Sequence, residues 1–164
     1  MPEPASSRTA PSTLIATFFG VGFLKPGPGT WGSLTTVLLW WALTRFVEAR
    51  FQAAAAIAIA ILAIAIGIPA ATRVAIAYNK KDPQFVVIDE VAGQMITLIA
   101  APATWKYLLL GFILFRGFDM VKPPPIRQLE QLPQGSGIVL DDVAAGLFAL
   151  AVMQLTLHFG WLSR

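Results

Sequence analysis

The stretch AAAAIAIAILAIAIGIPAAT, residues 53–72, decides the fold class of this chain. It carries no charged side chain over its whole length. At 1.5 Å per residue, a helix of about 20 residues crosses a hydrocarbon core of about 30 Å. The stretch therefore predicts a membrane-spanning helix.

The composition of the whole chain agrees with this interpretation. Of 164 residues, 56% are hydrophobic and only 13% are charged, far from the averages of soluble domains. The first apolar stretch follows a Pro/Gly loop instead of a basic segment, so we do not read it as a signal peptide. There is no cysteine, which excludes thiolate chemistry. A net charge of +3 suits a membrane and an anionic phospholipid partner, and no nucleic-acid module is recognisable.

Apolar segments recur along the chain, and they predict an all-α, polytopic membrane bundle of about five hydrophobic helices. We expect residues 1–12 to be a disordered tail and residues 13–164 to form one domain. The third segment is short, with Pro102 near its end, and the fourth carries Arg116 and Asp119, so a four-span arrangement is the alternative. The five segments are approximately 33–46, 53–72, 91–105, 106–121 and 143–161.

The basic residues fall unequally on the two sides of a five-span arrangement. One side receives Arg8, Lys25, Arg73, Lys80, Lys81, Lys122 and Arg127, and the other receives Arg45, Arg50, Lys106 and Arg164. The positive-inside rule places the first group in the cytoplasm. The acidic pairs described next lie on the same side, so the sequence predicts a site at the cytoplasmic face.

Five of the nine acidic residues lie in or beside apolar segments: Asp89, Glu90, Asp119, Asp141 and Asp142. A carboxylate there costs several kcal/mol unless it is paired, hydrated or bound to a cation. The segments VIDEVAG (87–93) and VLDDVAAG (139–146) share their order of residue types, and we expect each acid pair to begin an apolar helix. Carboxylate oxygens suit Mg²⁺ or Ca²⁺. The alternative for each pair is helix capping.

The segment FRGFDMVKPPPI, residues 115–126, places charges at helical spacing. Arg116 and Asp119 are three residues apart and share a helix face, so they can form a simple ion pair. In a functional site, Asp119 would be a further cation ligand or a general base. Arg116 and Lys122 would then hold phosphate oxygens.

The loop KPGPGTWGS, residues 25–33, leads into a helix and would form an anion cradle with its free N–H groups. We expect Lys25 and Thr30 to bind phosphate, although the loop lacks the ending of a Walker motif. His158 is predicted at the opposite interface, which argues against a phosphohistidine mechanism. A cation-activated water or an aspartate nucleophile remains.

These motifs resemble, in order, those of the phosphatidylglycerophosphatase A family, over about residues 18–160. The resemblance implies a Mg²⁺-dependent phosphatase of the bacterial inner membrane that converts phosphatidylglycerophosphate to phosphatidylglycerol. The motifs are GVGFLKPGPGTWGSL (20–34), VVIDEVAGQMITL (86–98), FRGFDMVKPPPIR (115–127) and GSGIVLDDVAAG (135–146). The matching residues are Pro28, Gly29, Thr30, Asp89, Glu90, Asp119, Lys122, Pro123, Asp141 and Asp142.

The resulting hypothesis is a lipid phosphatase in which the five acids bind Mg²⁺ and Asp89, Asp119 and Asp142 are catalytic. The main alternative is a cation-coupled transporter or channel, whose carboxylates would be distributed through the membrane depth. A lipid phosphotransferase would carry an Asp-Gly-x-x-Ala-Arg pattern, which is absent. A structural subunit would not require acids and bases to converge on one face.

Overall fold

The computed structural model describes residues 10–161, and every regular element in that range is helical. This confirms the predicted all-α class. The α-helices are α1 (Ala10–Ala16), α2 (Pro28–Leu43), α3 (Ala49–Ala77), α4 (Ile88–Thr97), α5 (Trp105–Val121), α6 (Ile126–Leu129) and α7 (Gln134–His158), and Val21–Phe23 form a short 3-10 helix. Residues 10–12 of the predicted tail are thus helical, and residues 1–9 lie outside the described range.

Two of the described helices, α3 and α7, are long and apolar enough to cross a membrane. They contain 29 and 25 residues, whereas α2 and α5 contain 16 and 17. At 1.5 Å per residue, α2 and α5 are each about 25 Å long, slightly short of the hydrocarbon core. The fold therefore supports two spanning helices, and the count of five stays a prediction.

Helix α3 has a buried face of small residues and an exposed face of large apolar ones. The buried stripe is Ala56, Ala60, Ala63, Gly67, Ala70, Ala71 and Val74, and such residues let neighbouring backbones approach closely. The exposed face includes Ile57, Ile61, Leu62 and Ile66. A continuous exposed apolar face of this kind favours contact with lipid.

Helix α4 is ten residues long, and all ten are buried. It packs against α2, α3, α5 and α7. At about 15 Å it is too short to cross a membrane, and the chain is not helical again until Trp105. The predicted third segment, 91–105, is therefore not one continuous helix, because α4 ends at Thr97.

Helix α7 begins at Gln134, nine residues before the predicted start at Val143. The intervening QGSG sequence has low helix propensity, but tertiary packing overrides that preference. The Gly135 N–H donates to Thr72 Oγ1 on α3 over 3.2 Å. Asp141 and Asp142 therefore lie two turns inside α7 and not at its start, which excludes helix capping for this pair.

Candidate active site

The ends of several helices meet around a cavity of about 430 Å³. Its wall comes from the start of α2, the loop between α3 and α4, the first turn of α4, the end of α5, Glu130 after α6 and the first turns of α7. Seven of the nine acidic residues of the chain line it: Asp82, Asp89, Glu90, Asp119, Glu130, Asp141 and Asp142. Lys81, Arg116 and Lys122 contribute positive charge. The predicted convergence of acids and bases is thus present in the fold.

A close crossing of two glycines sets the position of the acids. A Cβ on Gly146 of α7 would overlap the carbonyl oxygen of Gly93 on α4, so the two backbones meet there without side chains between them. Asp89 precedes Gly93 by four residues and Asp142 precedes Gly146 by four, which puts each acid one turn from the crossing on the same helix face. The extra alanine in the second motif makes Asp142, not Asp141, the equivalent of Asp89.

Asp89, Glu90 and Asp142 form the tightest acidic group among the described residues. One carboxylate oxygen from each lies within 4.8 Å of the other two. Asp89 Oδ1 and Glu90 Oε2 are buried and have no hydrogen-bond partner in the protein. Buried carboxylate oxygens without a donor are costly. Three carboxylates at this spacing, two of which carry such an oxygen, fit a divalent cation.

Burial also affects the ionisation of the two acids on α4. It raises the pKa of Asp89 well above its ordinary value, and the neighbouring charges of Glu90 and Asp142 raise it further. Burial raises the pKa of Glu90 to about 7, although Arg116 opposes the shift. The protein alone therefore disfavours full ionisation of this group, and a bound cation would restore it.

Arg116 bridges this group and Asp119. Its Nη1 donates to Asp119 Oδ2 at 2.6 Å and lies 3.8 Å from Glu90 Oε1. The spacing of three residues on α5 brings Arg116 and Asp119 to one face, as the sequence predicts. Asp119 also lies close enough to Asp142 and Glu90 for their charges to interact. Asp119 thus forms the predicted ion pair with Arg116 and also lines the cavity.

Lys122 occupies the residue that ends α5, in a left-handed conformation with φ 46°. Pro123 follows and cannot continue the helix. The Nζ atom donates to Asp141 Oδ2 at 2.7 Å and lies 3.6 Å from Glu130 Oε2. Partial burial disfavours the charged form of Lys122 and so acts to lower its pKa. The hydrogen bond to Asp141 and the negative charge of that residue outweigh this effect and raise the pKa of Lys122. Asp141 thus contacts a lysine, while Asp142 faces the other acids.

The Gly/Pro loop reaches the cavity through three residues. Gly27, Pro28 and Gly29 line it, and a Cβ on Gly29 would overlap Glu90 Oε1, so a larger residue there would displace the Glu90 carboxylate. Gly27 occupies the N-cap position of α2, with no side-chain hydrogen bond to the cap. Lys25 and Thr30 are both exposed and do not line the cavity, although both were predicted to bind phosphate.

The sequence prediction missed several residues of the cavity. Lys81, Asp82 and Glu130 lie in the segments that join helices and belong to no recognisable motif. Gln94 does not line the cavity, but it lies one turn after Glu90 on α4 and is fully buried, with neither amide atom hydrogen-bonded. A polar residue in an apolar helix was the available signal for Gln94, whereas nothing in the sequence marked the other three.

The far end of the bundle lacks comparable chemistry in the part of the chain described. His158 ends α7, about 25 Å from Asp141 at 1.5 Å per residue. Beyond Asp142, α7 has no further acidic residue, and α3 has none at all. The carboxylates are gathered in one cavity, which is the arrangement that distinguishes a reaction site from a cation pathway through the membrane depth.

Comparison with known proteins places the chain among lipid phosphatases. The family model for phosphatidylglycerophosphatase A matches residues 14–157. Proteins named phosphatidylglycerophosphatase A from Haemophilus influenzae and Escherichia coli are 35% and 33% identical, over 87% and 90% of this chain and 86% and 84% of their own lengths. A Bacteroides thetaiotaomicron protein provisionally named phosphatidylinositol-3-phosphatase is 36% identical, over 85% of this chain and 89% of its own length. No solved structure matches.

Proposed function

The chain belongs to the phosphatidylglycerophosphatase A family, and we propose that the cavity between α2, α4, α5 and α7 is where it hydrolyses the terminal phosphate of phosphatidylglycerophosphate. The enzyme is a lipid phosphatase, a phosphoric monoester hydrolase. The observation that carries the assignment to this cavity is the group of three buried carboxylates beside two basic side chains. Carboxylates with a cation, together with Arg and Lys, suit a phosphate monoester.

We propose Mg²⁺ as the cofactor, held by Asp89, Glu90 and Asp142. Two unpartnered carboxylate oxygens in this group support the fit, since hard oxygen ligands are those that Mg²⁺ prefers. Bound there, Mg²⁺ would supply positive charge to the phosphoryl oxygens and lower the pKa of a water. Asp119 and Asp141, the other predicted ligands, are engaged by Arg116 and Lys122, so their direct coordination is a weaker part of the proposal.

The side chains around the cavity have different roles in the proposed reaction. Arg116 and Lys122 bind and orient the phosphate, and Asp141 positions Lys122. An incoming phosphate competes with Asp119 for Arg116 Nη1, which releases the Asp119 carboxylate. Asp119 is then the proposed acceptor of the proton from the attacking water. The bond from phosphorus to the water oxygen forms as the bond to the glycerol oxygen breaks. The leaving glycerol oxygen takes a proton from solvent water to become the hydroxyl of phosphatidylglycerol, and Asp119 returns its proton to solvent.

The lengths of α3 and α7 and the distribution of basic residues bear on where the protein is located in the cell. The protein is membrane-associated, with two candidate spanning helices. We propose a multi-pass protein of the bacterial inner membrane whose cavity opens at the cytoplasmic face. Lys25, Arg73, Lys80, Lys81 and Arg127 lie toward the cavity end of the bundle, whereas Arg45, Arg50 and Lys106 lie at the opposite end. This asymmetry supports the orientation by the positive-inside rule.

The test is release of phosphate by purified protein from defined lipids. Phosphatidylglycerophosphate, phosphatidylinositol-3-phosphate and phosphatidic acid would be presented in mixed micelles, each with Mg²⁺ and with a chelator. We expect Mg²⁺-dependent release from phosphatidylglycerophosphate at a rate well above the other two. A preference for phosphatidylinositol-3-phosphate would transfer the assignment to the activity named for the Bacteroides protein, and equal release with chelator would refute the cation.

A further inference from the structure

A second, apolar cavity lies between α2 and α5. It is a groove of about 390 Å³ lined by Leu34, Val37, Leu38, Trp41, Trp105, Leu108, Leu109 and Phe112. Val37 and Leu108 are each 6% exposed and form its floor. Leu38, Leu109 and Trp105 are 54%, 49% and 70% exposed, so they form an open wall. Every lining side chain is apolar or aromatic.

The groove lies along α2 and α5, which also contribute residues to the proposed active site. Helix α2 starts at the site and runs away from it, whereas α5 runs toward it, so residues pair in antiparallel order. Gly29 lies against Arg116 Nη1, and Leu34 and Phe112 come about one turn further along each helix. Trp41 and Trp105 mark the far end. From Arg116 to Trp105 the path is about 16 Å at 1.5 Å per residue.

We propose that this groove receives one acyl chain of the phospholipid substrate while its head group occupies the acidic cavity. The inference rests on the proposed function, because it assigns the groove to the substrate of that site. The position of the groove on the two helices that also reach the cavity supports it, since a lipid with its phosphate beside Arg116 can place a chain along α2 and α5 without crossing a charged side chain.

The groove acts by positioning, not by hydrophobic affinity. An acyl chain in the bilayer is already in apolar surroundings, so moving it onto the protein gains little from dehydration. A concave track with a buried floor instead fixes the direction in which the chain leaves the site. Fixing the chain restrains the glycerol backbone and therefore the phosphate, whose misplacement by about 1 Å can cost about a hundredfold in rate.

The direct test is photolabelling of the intact protein with phosphatidylglycerophosphate that carries a diazirine on one acyl chain. Adducts would be mapped by mass spectrometry in the presence of a chelator, so labelling does not depend on turnover. We expect adducts concentrated on Leu38, Leu109 and their groove neighbours, reduced at least about fivefold by excess unlabelled phosphatidylglycerophosphate but not by phosphatidylcholine. Adducts spread evenly over the exposed faces of α3 and α7, or equal competition by both lipids, would indicate general contact with surrounding lipid and would overturn the proposal.

A second test fills the groove. Leu109→Trp adds bulk to its wall, and Ile61→Trp is the matched control, because Ile61 is 61% exposed on α3 and outside both cavities. The measured quantity is the rate on dioleoyl substrate divided by the rate on the dihexanoyl form. We expect this ratio to fall about tenfold in Leu109→Trp and to hold in Ile61→Trp. An unchanged ratio in Leu109→Trp would refute the groove. Absence of phosphate release by the unmodified enzyme would refute the proposed function, and the photolabelling pattern would still decide the groove.

Discussion

The two acidic pairs look alike in sequence but occupy different positions in the molecule. On α4, both Asp89 and Glu90 enter the buried group of three. On α7, only Asp142 does, because Asp141 turns to Lys122 at 2.7 Å. The pairs are related through the glycine one turn later, and the added alanine in the α7 motif shifts the second pair by one residue. Adjacent residues on a helix point about 100° apart, so one residue of offset separates a proposed cation ligand from a lysine partner.

The sharpest test of this difference exchanges each α7 acid for its amide. Asp142→Asn removes charge from the group of three, and we expect phosphate release to fall on the order of a thousandfold. Asp141→Asn removes the partner of Lys122 and should reduce it only about tenfold. Both are measured as kcat with phosphatidylglycerophosphate, after thermal unfolding in detergent has shown that each variant is folded. Equal losses would contradict the assignment of different roles.

The close contact between Gly93 and Gly146, which aligns the two acidic pairs, can be disrupted by adding a side chain. Gly146→Ala would place a Cβ against the Gly93 carbonyl and push α7 away from α4, with an expected cost of about 1–3 kcal/mol and a loss of activity of roughly a hundredfold. Gly117→Ala on α5 is the control, because a Cβ there meets nothing within 4 Å. The measurements are the unfolding midpoint in detergent and kcat. A stable, active Gly146→Ala protein would show that the crossing does not set the site.

The dependence of activity on Mg²⁺ concentration is a second way to distinguish the two acidic pairs. Glu90→Gln reduces the charge of the proposed ligand set, and the Mg²⁺ concentration for half-maximal activity should rise about tenfold. Asp141→Asn should shift it less than about twofold, since that carboxylate contacts Lys122. Mn²⁺ binding followed by electron paramagnetic resonance gives the same comparison without turnover. A larger rise in the half-maximal Mg²⁺ concentration for Asp141→Asn than for Glu90→Gln would indicate that the cation binds closer to Asp141 on α7.

The smallest effect is expected at the loop. Lys25 is exposed and outside the cavity, so Lys25→Ala should change kcat/KM by less than about threefold at moderate salt. Arg116→Ala, by comparison, removes a side chain that contacts both Glu90 and Asp119 and should cost much more. The two variants are compared in one phosphate-release assay. A large loss in Lys25→Ala would show that the loop folds over the bound substrate.

The sequence predicted the helical class, the convergence of acids and bases and the Arg116–Asp119 pair, because periodicity and the cost of buried charge are local properties. It did not predict that Asp141 and Asp142 lie inside α7, since packing of Gly135 against α3 extends that helix through a stretch of poor helix formers. Lys122 and Asp141 are 19 residues apart, and only the way α5 ends brings them together. Asp82 and Glu130 enter through loop geometry, which leaves no periodic pattern.

The complete burial of α4 also bears on how the protein is made. Its ten residues include Asp89, Glu90 and Gln94, which no bilayer would accept uncovered. The helices that cover it on one side, α5 and α7, are synthesised later. During translation α4 is therefore complete before α5 and α7 are available to cover it. Because α7 supplies Asp141 and Asp142 to the cavity, a nascent chain has a complete site only once α7 has docked.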